Sequence, residues 1–301
     1  MKIFLRDFLI TLLFGLAFVL LLEWKIGTRQ IDYRYKAWYM TERADRISTL
    51  ILGHSLFAES LDPHPLGDSA FNAATRGRHL CYDLGIVQRY MPHMPNLRTL
   101  LLPLHTEMPW KPLETEDEIY SYAHYMHIFP DNNYLSYSAL LSGQMRLGFM
   151  EEFPVLDTVK RKKNFVDRTI DSAGYSPLFH VWNDSIRPFI PKAEKMDENR
   201  TGYTAMMLQI AQACAKQGVR LVLVMPPHSD RCIELSDPER HLIAAVHEVV
   251  HEVQQACPQV ELLDYYEDSL FRSPSLYADG YHLNHTGATQ LAQRIKADAG
   301  L

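Results

Sequence analysis

Apolar residues fall along this chain in two rhythms, short unbroken runs and helical stripes, which alternate over much of its length. The runs at 47–53, 97–102, 219–225 and 260–264 are bounded by glycine, proline or charge and read as buried strands. A fifth strand ends near 70–74. Between them, apolar positions three and four apart predict helices over about 80–91, 203–217 and 237–256, and a last one from Asn284 or Thr286 onward. Gly218 is a fitting C-cap, and Asp237-Pro238 an N-cap followed by proline at the first helical position. Strands alternating with helices imply a parallel sheet covered on both faces, so the fold class is α/β, three-layered, with ligands at the C-terminal strand ends. From about 105 to 200 the alternation stops. This stretch carries Tyr120, Tyr122, Tyr125, Tyr134 and Tyr137 and is expected as an insertion over the face formed by the C-terminal strand ends.

The N-terminus breaks both rhythms. Residues 8–22 hold no charge, Lys2 and Arg6 precede them, and Trp24 stands where an interfacial aromatic would. The uncharged run is shorter than the roughly 20 residues a spanning helix needs, but Ile3, Phe4, Leu5 and Ile26 extend it. The segment Leu20-Leu21-Leu22-Glu23-Trp24 offers no small-x-small cleavage site, which favours a retained anchor over a cleaved secretory peptide. Lys2 and Arg6 argue for an internal N-terminus, while Lys25, Arg29, Arg34 and Lys36 beyond the run oppose it. Either an anchor or a cleaved peptide puts the bulk of the chain outside the cytoplasm. The expected organisation is an anchor at 1–26, a juxtamembrane linker at 27–46 and an α/β domain at 47–301.

Composition narrows the function. With 301 residues, 47% apolar and 22% charged, the chain can bury a full core. A formal net charge of -6 leaves no footprint for nucleic acid, and the basic run Lys160-Arg161-Lys162-Lys163 is too short to track phosphates. Cys81, Cys214, Cys232 and Cys257 are scattered without a C-x-x-C pair, so neither a zinc ribbon nor a disulfide is expected.

Two short motifs carry chemistry. Gly53-His54-Ser55-Leu56 follows the first strand, and Ala278-Asp279-Gly280-Tyr281-His282-Leu283-Asn284 precedes the last helix. A serine hydroxyl is a weak nucleophile until an imidazole takes its proton, and the imidazole needs an acceptor on its other nitrogen. Aspartate and histidine three apart on one loop supply base and orienter together. Together the two motifs resemble the SGNH (GDSL-type) hydrolases, whose first block is Gly-Asp-Ser-Leu and whose last is Asp-x-x-His. The stretch Phe71-Asn72-Ala73-Ala74-Thr75-Arg76-Gly77 is similar to the family's second block, where a glycine gives an oxyanion-hole donor.

The resemblance implies a triad of Ser55, Asp279 and His282, with Gly77 as an oxyanion donor, and requires no cofactor. It covers about 47–105 and 219–301. His54 replaces the usual aspartate and receives no catalytic role. The third block, Gly-x-Asn-Asp, has no match, since the strand ends in Pro103-Leu104-His105-Thr106; its asparagine is either missing or replaced by His105 or Asn72. A degenerate third block beside an N-terminal anchor is similar to SGNH-like proteins of bacterial envelope O-acylation. That likeness implies an esterase or O-acyltransferase acting on envelope polysaccharide, with a membrane-bound acyltransferase as partner. A non-catalytic scaffold for such an acyltransferase is the alternative.

Two other motifs are weaker. Phe57 occupies the second glycine of G-x-S-x-G, which disfavours an α/β-hydrolase. His247-Glu248-Val249-Val250-His251 matches the zinc-peptidase pattern. On that helix, however, Leu242, Val246, Val249, Val250 and Val253 define the buried stripe, so the histidines face outward and no metal site is expected.

Overall fold

The computed structural model describes residues 1–27, 32–104, 116–130, 134–138, 170–183, 196–230, 232 and 240–301. His105, the basic run 160–163 and the cap at Asp237-Pro238 lie outside the described residues. The chain divides into two compact units, 1–34 with 114–168 and 35–113 with 169–301.

In the first unit, helix α1 (Lys2–Gly27) contains a 23-residue span, Lys2–Trp24, of mean hydropathy 2.2 and only 6% buried. At 1.5 Å per residue it reaches about 34 Å, enough to cross a hydrocarbon core. The same unit holds an aromatic cluster around the π-helix Tyr122–Met126. Tyr33 meets Tyr122 edge-on at 5.1 Å, His124 lies between Tyr120 and Tyr137, and His127 stacks on Tyr137.

The second unit begins with α2 (Asp32–Glu42), whose residues from Tyr35 onward belong to it. The expected linker is therefore partly a packed helix. Tyr39 stacks flat on Phe71 at 4.0 Å, Tyr35 donates to the Ser172 carbonyl at 2.8 Å, and the buried Lys36 ammonium donates to the Ala74 carbonyl. Lysine and tyrosine read as polar in a sequence, yet their stems and rings bury apolar area while one polar tip finds a partner.

Five short strands follow: β1 (Thr49–Ile51), β2 (Ala70–Asn72), β3 (Thr99–Pro103), β4 (Arg220–Met225) and β5 (Glu261–Asp264). All pair in parallel in the order β2-β1-β3-β4-β5. Pleating sends successive side chains to opposite faces. Ile51, Leu101, Val222 and Val224 join one core cluster with Ala288, Leu291, Ala292 and Ile295 of the C-terminal helix (His285–Ala299). The alternate residues Leu50, Leu100, Leu221 and Leu223 are equally buried. On that side the helices Leu80–Arg89, Met196–Gln217 and Arg240–Ala256 pack against one another, completing a three-layer α/β arrangement. In this strand order the crevice for ligands opens at the C-terminal ends of β1 and β3, where the connections diverge.

Residues 170–183, expected within the insertion, are built into this unit. The Asn72 N–H donates to the Ala173 carbonyl at 2.8 Å and the Ser176 N–H to the Ala58 carbonyl at 3.0 Å. Gly174 (φ 80°) approaches so closely that a Cβ there would lie 2.2 Å from the Asn72 carbonyl oxygen. Tyr175 and Trp182 then enter the core. This stretch also grips both flanks of the Asp279–His282 loop, with Trp182 N–H donating to the Tyr277 carbonyl and His285 N–H to the Leu178 carbonyl.

Candidate active site

The turn after β1 is shaped by backbone geometry that a side chain would disturb. Gly53 adopts φ 108°, and a Cβ there would lie 2.3 Å from the Pro103 ring at the end of β3. Its N–H donates to Asp83 at 2.9 Å and its carbonyl accepts from the Thr75 N–H at 3.1 Å. His54 caps the short helix α3 (Ser55–Ala58), its Nδ1 accepting from the Leu56 N–H at 3.4 Å. That bond helps to shape the turn. Ser55, half-buried, thus begins a helix immediately beyond a central strand, with its own N–H in the first turn, where no intrahelical acceptor exists.

The buried Arg78 holds this turn from behind. Its guanidinium donates to Thr75 Oγ1 at 3.1 Å, to Asp83 Oδ1 at 2.9 Å and to the Ala73 carbonyl at 2.5 Å. Burial pushes the Asp83 carboxyl above its ordinary range, against the pull of Arg78 and the Gly53 N–H.

The second loop is equally specified. Asp279 Oδ1 accepts the N–H groups of Tyr281 and His282, each at 2.8 Å, closing a tight turn. Its Oδ2 lies 2.8 Å from His282 Nδ1. Leu283 N–H donates to Ser60 Oγ at 2.9 Å, tying this loop to the segment after Ser55. Asn284 caps the last helix through Gly287 N–H at 3.1 Å.

These two loops, 227 positions apart in sequence, put His282 Nε2 at 2.8 Å from Ser55 Oγ. A carboxylate only accepts, so Asp279 fixes the imidazole proton on Nδ1 and leaves the Nε2 lone pair facing the hydroxyl. Three side chains form one hydrogen-bonded line. Burial works to raise the Asp279 carboxyl, but the His282 ring and the two N–H groups overcome it and hold it at about 2.

The other sequence-derived donors fare differently. Gly77 lies half-buried in the loop after β2 with φ 64°, and Thr75 binds this loop to the Gly53 turn. Asn72 requires correction. It is fully buried, its Nδ2 donates to the Phe57 and Leu61 carbonyls at 2.7 and 3.0 Å, and its Oδ1 accepts the Ala74 N–H at 3.0 Å. Its amide hydrogens are used in bracing α3 and the segment after it and cannot also face an oxyanion. His105 falls outside the described residues.

The side chains of the zinc-peptidase pattern are paired with other groups. His247 Nε2 pairs with Asp264 at 2.8 Å, His251 with Gln255 at 3.0 Å, and Glu248 and Glu252 both bind Arg200. Among the described residues no three His, Cys, Asp or Glu side chains converge on a metal position.

Two residues near His282 were given no role from sequence. Glu59, one turn beyond Ser55, puts Oε2 at 3.7 Å from His282 Nε2 and pairs through Oε1 with Arg76. His228, just after β4, is buried against Tyr266 and Tyr281, and its Nδ1–H donates to the Pro226 carbonyl at 3.1 Å. The available signal was position, since His228 directly follows a parallel strand's C-terminal end.

Burial, and secondarily the nearby His282, lower His228 to about 4, against the pull of its bond to Pro226. An unfolded histidine titrates at about 6.5, so between that pH and 4 the unfolded chain binds the extra proton. Stability therefore falls on acidification through this window, by up to about 1.4 kcal/mol per pH unit for this one group. His228→Gln should flatten the dependence of the thermal midpoint on pH between 6.5 and 4 relative to wild type; an unchanged slope refutes this.

Comparison with known proteins places this geometry in context. No family model matches the chain, and no curated protein does. Among solved structures, it is similar to a proposed SGNH hydrolase from Slackia heliotrinireducens (12% identity, TM-score 0.44, covering 85% of this chain and 99% of that one). A GDSL-like lipase from Bacteroides thetaiotaomicron matches at 9% identity and TM-score 0.44, over 90% of this chain and 100% of that one. A proposed acylhydrolase from Bacteroides fragilis has 9% identity and TM-score 0.44, over 87% and 94%. Values of this size say nothing about chemistry, which rests on the side chains themselves.

Proposed function

We propose that this chain is a serine esterase or O-acyltransferase of the SGNH type, acting on ester-linked acyl groups. The observation that carries the reading is the 2.8 Å contact between Ser55 Oγ and His282 Nε2, backed by Asp279. Ser55 Oγ attacks the acyl carbon while His282 Nε2 takes its proton. The oxyanion of the tetrahedral intermediate is met by the Ser55 and Gly77 N–H groups. His282 returns the proton to the departing alkoxide, leaving an acyl-Ser55 ester and a free alcohol. A second hydroxyl, from water or a glycan, is deprotonated by His282 and releases the acyl group, restoring Ser55.

The finer reading puts this reaction on glycans of a bacterial envelope. Helix α1, long and apolar enough to span a bilayer, supports a single-pass anchor in the cytoplasmic membrane with the α/β unit outside the cytoplasm. A membrane-bound acyltransferase is the partner that such a location favours.

Active-site labelling tests the serine. A fluorophosphonate should modify the wild-type chain and not Ser55→Ala. Labelling of neither would leave the scaffold role, and equal labelling of both would remove Ser55 from the chemistry. Incubation with an O-acetylated glycan, with and without a second acceptor, then separates hydrolysis from transfer.

A further inference from the structure

We infer that Lys36, on the helix before the sheet, is a positioning residue that fixes the oxyanion-binding backbone beside Ser55. The inference rests on the serine mechanism above, in which the Ser55 and Gly77 N–H groups meet the oxyanion. Helix α2 turns Lys36, Ala37 and Met40 inward, and Lys36 is only 1% exposed. Its ammonium donates to the carbonyl of Ala74, a fully buried residue that solvent does not reach.

The peptide group that Lys36 holds is the one that joins two loops. The Ala74 carbonyl and the Thr75 N–H share a single plane, because the bond between them does not rotate freely. Lys36 takes the carbonyl end, while the N–H end donates to the Gly53 carbonyl in the serine turn at 3.1 Å. The preceding plane is pinned in the same way. Arg78 binds the Ala73 carbonyl, and the Ala74 N–H donates to Asn72 Oδ1. Two consecutive planes are thus set against the turn that carries Ser55, and Gly77 follows them with φ 64°.

A buried carbonyl that loses its donor is costly, so removal of the ammonium favours rotation of the Ala74–Thr75 plane toward another partner. Rotation takes the Thr75 N–H off Gly53 and carries the chain leading to Gly77 with it. An oxyanion hole works through donors already in place, so a shift there weakens the tetrahedral stage above all. Helix α2 has a second hold on the same strand, the flat stack of Tyr39 on Phe71. That contact is packing against β2, three residues before Ala74.

Trifluoroacetone reads the oxyanion directly. Ser55 Oγ adds to its carbonyl carbon, the carbonyl π pair moves onto oxygen, and His282 takes the serine proton. The adduct keeps the oxyanion, since it has no leaving group. For the full chain in detergent, Lys36→Met should raise the Ki of trifluoroacetone about tenfold, below the roughly hundredfold cost of losing an oxyanion donor outright. With p-nitrophenyl acetate, a neutral ester, kcat per serine titrated by a fluorophosphonate should fall by a similar factor at unchanged KM. Tyr39→Leu should lower the melting temperature yet leave Ki at its wild-type value.

A wild-type Ki in Lys36→Met overturns the inference, and so does a Ki raised as much by Tyr39→Leu. If Lys36→Met does not fold, Lys36→Gln, one bond shorter and still polar, is judged by the same Ki. Failure of the serine mechanism itself shows separately, as undiminished hydrolysis by Ser55→Ala.

Discussion

Asparagine at position 279 is expected to lower kcat for p-nitrophenyl acetate about 10⁴-fold while leaving the fold intact. Asp279 uses Oδ1 for the N–H groups of Tyr281 and His282, and an asparagine carbonyl can keep both. What it cannot keep is the nearer acceptor, Oδ2, which lies 2.8 Å from His282 Nδ1 against 3.0 Å for Oδ1. An amide N–H placed there would demand the Nδ1 lone pair, moving the imidazole proton to Nε2, where it faces Ser55 and blocks proton transfer. Alanine at Ser55 or His282 should cost at least as much, and the double replacement little more than either alone, because the three act as a unit. A fall of less than tenfold in Asp279→Asn, with a wild-type melting curve, would remove Asp279 from the mechanism. Because the carboxyl is held at about 2, its charge survives at all ordinary working pH. Its contribution to stability is complete above the unfolded value near 3.8 and is lost as pH falls toward 2.

Arg78→Met should destabilise the sheet unit by about 3–5 kcal/mol, the cost of leaving one member of a buried ion pair alone. The guanidinium serves three acceptors at once, and the Asp83 left behind is already strained by burial. A lysine should not rescue it, since one ammonium cannot reproduce the planar fork. The double variant Arg78→Met/Asp83→Leu should recover part of the loss by removing the orphaned charge. Thermal melts in detergent would show the order, and a Met variant as stable as wild type would contradict it. Activity should fall with Arg78→Met even in the folded fraction, because Asp83 also holds the Gly53 N–H beneath the serine turn.

The elements were legible where local pattern and burial coincide. All five strand runs appear as strands within a few residues of their expected limits, and the stripe Leu242, Val246, Val249, Val250 and Val253 is buried. That stripe also explains why the His247 pattern turns outward. The α2 helix and the strap at 170–183 were hidden because neither shows a clean apolar period. Each is held instead by partners far away in sequence, such as Phe71 under Tyr39 and Ala58 against Ser176. Asn72 misled for a related reason. A buried asparagine looks identical in sequence whether its amide points into a site or braces a backbone, and only the carbonyls of Phe57 and Leu61 decide.

The linear chain determined which chemistry was available. It supplied a candidate nucleophile behind a strand, a candidate base and orienter three residues apart, and an apolar N-terminal segment, all written in short local patterns. Tertiary structure decided which groups meet. Ser55 and His282 reach contact because β1 lies inside the sheet and the last helix docks on its face through Leu291 and Ile295. Glu59, Arg76, Arg78, Asp83 and His228 acquire their surroundings by the same packing. The charge states of Asp83 and His228 depend on burial and on neighbours brought in by the fold, and a field of that kind has no counterpart along an extended chain.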